Sequence, residues 1–308
     1  MTPGQTSITR RLRFSTDVKL RRRFMVIDED VAANIRAGLL LEVLDKLAED
    51  TALRFARTGS PDVRVVTAAM DDLKVYGAPD IKRDIVLRAR VNYVGNTSME
   101  IGVRLEHPAP EPVHLGSCFF TMVARLVEDG KERSMTLPAL HLVSAMDKRR
   151  ASRAEQRRKQ RRQAEMLPDP SAEEYAMLRR LHDEFDRNPT AALRARDLVT
   201  EGWERTYPEH ENVPQKIFGG FVAHRAYMYA HLCAERLADH RAMLVASDRI
   251  DFYQPVRMGD KLHFVSRITF SGQTSLTVET QITRISRDRS MTALSNTCVF
   301  TFVNVDPL

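Results

Sequence analysis

Residues 91–101 read VNYVGNTSMEI and residues 268–278 read ITFSGQTSLTV. Gly95, Thr97 and Ser98 fall on Gly272, Thr274 and Ser275 at one constant offset. That offset also sets Tyr76 on Tyr253, Leu73 on Ile250 and Ile85 on Leu262. Farther on, CFFTMV (118–123) matches CVFTFV (298–303) after a shift of three residues. Upstream, the apolar segment after Ala37-Gly38 matches the one after Gly219-Gly220. A collinear repeat of this length, interrupted only where loops would differ, marks a duplicated domain. A chain of 308 residues has room for two.

Each copy has the same order of elements. A helix-length apolar stretch comes first, AGLLLEVLDKLAEDTALRFA in one copy and GGFVAHRAYMYAHLCAERLA in the other. The first has near-helical apolar spacing; the second is apolar round most of its circumference, as a largely buried helix should be. Runs rich in β-branched and aromatic residues follow: VRVVTAAM, IVLRARVNYV, SMEIGVRLE and SCFFTMVARLV, then AMLVASDRIDFY, KLHFVSRITF, SLTVETQITRI and NTCVFTFVNV. Their alternation, with short GNTS and SGQTS turns, predicts antiparallel hairpins. The expected unit is an α+β domain, a long helix wrapped by a curved antiparallel meander. Two such sheets joined edge to edge protect two otherwise open edges. The expected boundaries are 1–145 for the first domain, 146–188 for a basic linker with a connecting helix, and 189–308 for the second domain.

Composition removes several classes of function. No apolar run is long enough to span a bilayer. The cysteines, Cys118, Cys233 and Cys298, form no CxxC pair, and are read as packing residues in a reducing, cytoplasmic setting. The arginine-rich N-terminus leaves an organellar presequence, and so a mitochondrial matrix location, as an alternative. The net charge of +6 is concentrated in Arg10–Arg23 and in KRRASRAEQRRKQRR (148–162). Three readings of the second run are open: a solvated linker, contacts to substrate phosphates, or nucleic-acid binding. The last is disfavoured, because the run has no aromatic residue for base stacking. GxSxG, GxxxxGK[ST] and HExxH are all absent, leaving carboxylates, amides and helix termini as the chemical devices.

One such device is ENVPQKIFGGF, where Asn212 precedes the Gly219-Gly220 pair at a helix start. N–H groups at a helix start point outward with partial positive charge and are suited to an oxyanion. Close helix–sheet packing is the alternative reading of the glycines. In the first copy Arg36, Ala37 and Gly38 occupy the matching place, and Asp45 lies seven residues past Gly38 where the second copy has Tyr227. Asp45 reads either as a solvated helix charge or as a carboxylate kept in one copy alone.

The segments GNTSMEI, FTMVAR, NVPQKIFGGFVAHRAYMYA and DRIDFYQPVRMGDKLHFVSRI resemble the tandem HotDog acyl-CoA thioesterases, nearest to the branch of the mitochondrial animal enzymes. The likeness runs from about residue 10 to 305. It implies an intramolecular double HotDog that hydrolyses fatty acyl-CoA to fatty acid and CoA. It also implies no cofactor beyond the CoA of the substrate, and a homo-oligomer, often three double-HotDog chains. By motif position it assigns the catalytic pair to Asp45 and Asn212, with Gly219 and Gly220 as oxyanion donors. Gly95, Thr97, Ser98, Gly272, Thr274 and Ser275 are candidate CoA contacts, plain hairpin turns being the alternative. A hydratase or dehydratase on the same fold would need a histidine with a carboxylate, and His224 shows no obvious acidic partner in the sequence. A non-catalytic acyl-CoA-binding protein is the remaining alternative. One working site is expected, with its mirror image inactive.

Overall fold

In the computed structural model the described residues are all but 30, 32, 109–110, 129–130, 165–170, 188–196, 214–215, 239–240 and 306–308. The side chains of residues 128, 131, 162, 164, 185, 212 and 213 are also outside the description. The first half consists of α1 (Pro3–Thr6), β1 (Ile8–Leu12), α2 (Val18–Phe24), α3 (Ala37–Ala56), β2 (Val63–Val75), β3 (Ile85–Val94), β4 (Ser98–His107), β5 (Val113–Glu128) and β6 (Lys131–Ser134). Two helices follow, α4 (Ala145–Ala164) and α5 (Ala172–Arg187). The second half holds β7 (Thr200–Arg205), β8 (Glu211–Val213), β9 (Lys216–Ile217), α6 (Gly219–Glu235), β10 (Arg241–Ser247), β11 (Ile250–Phe252), β12 (Lys261–Ser271), β13 (Ser275–Ile285) and β14 (Thr292–Val305). None of the described helices is long and apolar enough to cross a membrane.

Each long helix is held by one apolar stripe. In α3 the buried positions include Leu41, Leu44, Ala48, Ala52 and Phe55, which recur at three- and four-residue spacing. Small residues do the same in α6, where Ala226, Ala230, Cys233 and Ala234 are fully buried, so the helix sits close to its sheet. Strand alternation supplies the opposing layer: Leu87, Ala89 and Val91 of β3 face inward, as do Phe264 of β12 and Phe300 and Phe302 of β14. All three cysteines are buried and unpaired, as packing residues.

The strand order corrects the expected meander. The principal path is β1-β3-β4-β5-β2-β10-β14-β13-β12-β7. After α3 the chain therefore lays β2 beside β5, the last long strand of its half, rather than beside β3. This puts β2 at the seam, where it meets β10 and β11 of the second half. The seam is self-complementary. Ala246 and Ser247 pair with Lys74 and Leu73, while Ile250 and Asp251 pair with Met70 and Ala69. Under the repeat offset Ala69 corresponds to Ala246 and Lys74 to Asp251, so the two sets of pairs are one contact made twice. That is the isologous geometry of a twofold dimer, within a single chain.

The arginine-rich run is not a free linker. It forms α4, which lies on the outer face of the first sheet with Ala151 and Ala154 buried beneath it. Arg157 donates two hydrogen bonds to the Glu100 carboxylate, from Nε at 3.0 Å and from Nη2 at 2.7 Å. Its guanidinium also lies 3.7 Å over the Phe119 ring, and Arg161 pairs with Asp71. Glu100 and Asp71 sit on outward-facing strand positions, and a buried carboxylate there needs a cation above it.

Replacing Arg157 with Met strands the Glu100 carboxylate. This is expected to lower stability by about 3 kcal/mol in urea unfolding and to raise amide exchange along α4. An unchanged exchange pattern would show that α4 does not depend on this pair.

Candidate active site

Where α3 and α6 cross, side chains are excluded by contact. A Cβ on Gly220 would lie 2.7 Å from the Phe218 ring and 3.0 Å from the Glu42 Cα. Glycine at this position therefore lets the helix start of one half reach the middle of the other. The N-cap residue of this helix, Phe218, makes no side-chain capping bond. The cap comes from the first half: the Gly220 N–H donates to Asp45 Oδ2 at 2.6 Å. The Thr67 hydroxyl, from β2, donates to Oδ1 at 2.7 Å. Asp45, 2% exposed, is thus an N-cap supplied across the seam rather than a solvated helix charge.

Burial dominates its electrostatics. Loss of solvent raises the Asp45 pKa to about 7; the hydrogen bonds from Thr67 and Gly220 pull it back only in part, and the charge of Glu49 adds to the rise. A carboxyl that titrates near neutrality exchanges protons readily at physiological pH.

Thr67 and Gly219, which flank this carboxyl, line a cavity of about 270 Å³. A Cβ at Gly219 would stand 3.2 Å from Asp45 Oδ2 and 3.2 Å from the Phe252 ring, so the glycine keeps the carboxyl close to the cavity. Val222, Phe252 and Val256 give the cavity apolar walls, while Arg125, Glu132 and Lys216 bring charge to it. Lys216 is ion-paired with Glu132 across the two halves.

The structure thus brings together Asp45, Gly219 and Gly220. The two glycine amides differ in state: that of Gly220 is committed to Asp45, and that of Gly219 makes no hydrogen bond among the described residues. Asn212 lies in β8, which pairs with β9 just ahead of α6, but its side chain is outside the described ones. The proposed CoA turns lie elsewhere. Gly95 closes the β3–β4 hairpin by donating to the Ser98 carbonyl, and Gly272 closes β12–β13 by donating to that of Ser275. None of the six turn residues lines the cavity. Ser98 does pair with Val123, a lining residue of β5, whereas Ser275 pairs with Val303 in the other half. The first turn, with Thr97 and Ser98, is therefore one strand from the site; the second, with Thr274 and Ser275, is not.

Sequence reasoning missed Thr67. A signal was present, since the repeat offset sets Thr67 on Leu244, an apolar partner just as Tyr227 is for Asp45. It also left His224 without a partner, which the structure corrects: His224 Nδ1 lies 2.7 Å from Glu42 Oε1. Glu42 and His224 hold equivalent positions in α3 and α6, so the pair straddles the pseudo-twofold axis. A carboxylate from the other copy was invisible within either helix alone. At the mirror position any side chain on Gly38 would collide with the His224 ring and meet Tyr227. The start of α3 is thereby plugged, and the cavity beside Tyr227 is walled by Leu40, Leu41, Leu44 and Leu244.

A raised carboxyl pKa makes the folded chain bind a proton that the unfolded chain, with its ordinary value of 3.8, releases. The stabilising contribution of protonated Asp45 is therefore fully present below about pH 4 and lost as pH rises through about 7. Asp45→Asn, neutral at every pH, is expected to gain stability over the parent at about pH 8, by at most about 4 kcal/mol. The gain should vanish at about pH 4, and melting curves at the two pH values check this. An equal gain at both would contradict a buried, titrating Asp45.

Against known proteins, a model of the thioesterase superfamily matches residues 215–290. The acyl-coenzyme A thioesterase 2, chloroplastic, of Humulus lupulus is 26% identical over 98% of this chain and 73% of its own length. The acyl-coenzyme A thioesterase 9, mitochondrial, of Homo sapiens is 25% identical over 95% of this chain and 70% of its own. Among solved structures, a Lactobacillus plantarum thioesterase superposes with a TM-score of 0.59 at 10% identity, covering 98% of this chain and 96% of that one. An acyl-ACP thioesterase from Bacteroides thetaiotaomicron gives 0.53 at 9% identity, over 98% of this chain and 100% of that one. The structural likenesses establish the fold.

Proposed function

The chain belongs to the thioesterase superfamily in its tandem HotDog form, and on that premise we propose that it hydrolyses acyl-CoA thioesters at the Asp45–Gly219 site. The observation that carries this reading is the Asp45 carboxyl, buried against the helix start of the opposite domain directly behind Thr67 and Gly219, which line a cavity with apolar and charged walls. No cofactor is required.

The thioester carbonyl oxygen enters the cavity towards the Gly219 N–H, a donor held at the positive end of α6. Ionised Asp45 takes a proton from water, whose oxygen attacks the carbonyl carbon. The tetrahedral intermediate collapses with cleavage of the C–S bond, releasing the fatty acid and the CoA thiolate. Asn212 orients the water or the carbonyl; β8 places its backbone on the approach to α6. Direct attack by Asp45, through a mixed anhydride, is the alternative course. The acyl chain lies along Val222, Phe252 and Val256, and the phosphates of CoA meet Arg125, Lys216 and the Gly95–Ser98 turn. The sheet ends in β1 and β7, two open edges that favour a homo-oligomer. Three buried free thiols fit a reducing compartment, whether cytoplasm or an organelle matrix.

The His224–Glu42 pair supplies the histidine–carboxylate couple that a hydratase or dehydratase needs. Asp45 is hydrogen-bonded to Thr67, a lining residue of the cavity, whereas neither member of the His224–Glu42 pair is bonded to a lining residue among the described ones, so hydrolysis is the better reading. With one enoyl-CoA as substrate, release of free thiol together with the unsaturated acid, and no 3-hydroxyacyl-CoA, is the expected outcome.

Thiol release from a series of acyl-CoA lengths is expected to fall about a hundredfold or more in Asp45→Asn and to fall in Asn212→Ala. Parent-level rates in both variants would end the proposal. The rate should climb with pH and level off above about 7, as Asp45 ionises. Thr67→Val removes a bond that favours the ionised form, so its profile is expected to move to higher pH.

A further inference from the structure

On the outer face of the first sheet, away from α3, α4 roofs a second cavity, of about 510 Å³. Strand alternation builds its floor: Leu87, Ala89 and Val91 face α3, so Arg88, Arg90 and Asn92 face out, beside Arg104 of β4. Arg149, Arg150, Arg153 and Arg157 descend from the roof. Seven arginines thus line one concavity, and among the described residues no carboxylate lines it with them.

Three of the seven are already paired. Arg88 and Arg104 share Glu106, and Arg157 is held by Glu100. Arg90, Arg149, Arg150 and Arg153 have no ion pair among the described residues. The charge of Asp147 acts on Arg90 and Arg150. Arg90 is half-buried and faces the like charge of Arg150 across the gap between sheet and helix, so burial first and Arg150 second depress its pKa. Opposing elements of the fold thus hold uncompensated guanidinium groups around a common space, which costs stability unless a counter-charge enters.

The chemistry of the walls selects the counter-charge. Planar guanidinium forks match phosphate oxygens two at a time, and Ser7, Asn92 and Ser117 add neutral donors. A nucleic-acid strand would call for free aromatic faces along an open groove. Among the described residues the one aromatic side chain lining this cavity is Phe119, and Arg157 covers its ring. We propose that this cavity binds a small molecule carrying two or more linked phosphates, at a site on the opposite side of the sheet from Asp45. The shared chemistry is the polyphosphate; a free nucleotide and the nucleotide end of CoA are its two sources. Binding here does not depend on the hydrolytic reading, and a titration reads it without turnover.

The test is calorimetric titration of the full chain with inorganic tripolyphosphate, ADP and CoA, at low and at raised salt. One site per chain is expected for tripolyphosphate, weakening with salt and by about tenfold or more in Arg150→Gln/Arg153→Gln. Both substitutions are on the helix surface, and unchanged melting of the double variant confirms that it is folded. CoA also enters the hydrolytic site, so the source is identified by comparing how much of the ADP binding and of the CoA binding is lost in the double variant. Asp45→Asn should leave binding unaltered, which separates this site from the hydrolytic one. Absence of tripolyphosphate binding, or binding equal in the parent and the double variant, overturns the proposal. So does arginine-dependent binding of a single-stranded oligonucleotide without tripolyphosphate binding.

Discussion

Everything distinctive in this chain converges on one hydrogen bond, from the Gly220 amide to the Asp45 carboxylate. It joins the helix of one repeat to the helix start of the other, so it exists only when both halves are folded and seated together. Its prerequisites are spread over the molecule. The β2–β10 seam fixes the relation of the halves, Gly220 removes the side chain that would keep α6 away from α3, and Thr67 on the seam strand holds the other carboxylate oxygen. Two donors do not offset full burial, and the pKa rises to about 7. The group is costly to hold ionised in the fold, and for that reason it is chemically ready near neutrality.

Duplication explains why this happens once rather than twice. The pseudo-twofold seam generates two equivalent crossings, and divergence has treated them differently. At one, an aspartate and a threonine meet an open helix start. At the other, Tyr227 and Leu244 stand in their places and His224 fills the space against Gly38. The substitutions at the second crossing are of one kind: each removes polarity or access. A fused pair is free to keep one site and let its twin become packing, whereas a dimer of identical chains must change both together.

Much of this was legible in the residues. The repeat, both central helices and nearly all the long strands follow from periodicity and β-branched runs; the register of VNYVGNTSMEI against ITFSGQTSLTV defines two hairpins to the residue. The divergence of Asp45 from Tyr227 marked the position of interest. What escaped were contacts between distant segments. The strand order requires β2 to cross its own sheet, a choice set by what the opposite half offers as a neighbour. Glu42 and His224 find each other only across the axis. Arg157 and Arg161 of α4 read as solvated because their partners, Glu100 and Asp71, lie on strands at least 57 residues away. Helical periodicity reports a face, not what covers it.

The central claim is that a first-domain carboxyl, shut away from water by the second domain, titrates near neutrality. A carbon-13 NMR titration of the chain labelled at aspartate carboxyls, with Asp45→Asn to assign the resonance, measures that state. A midpoint near pH 7 for Asp45 is the result the account requires. A midpoint near the ordinary 3.8, with the other aspartates, would mean that Asp45 is in contact with solvent and that the cross-domain site is not formed.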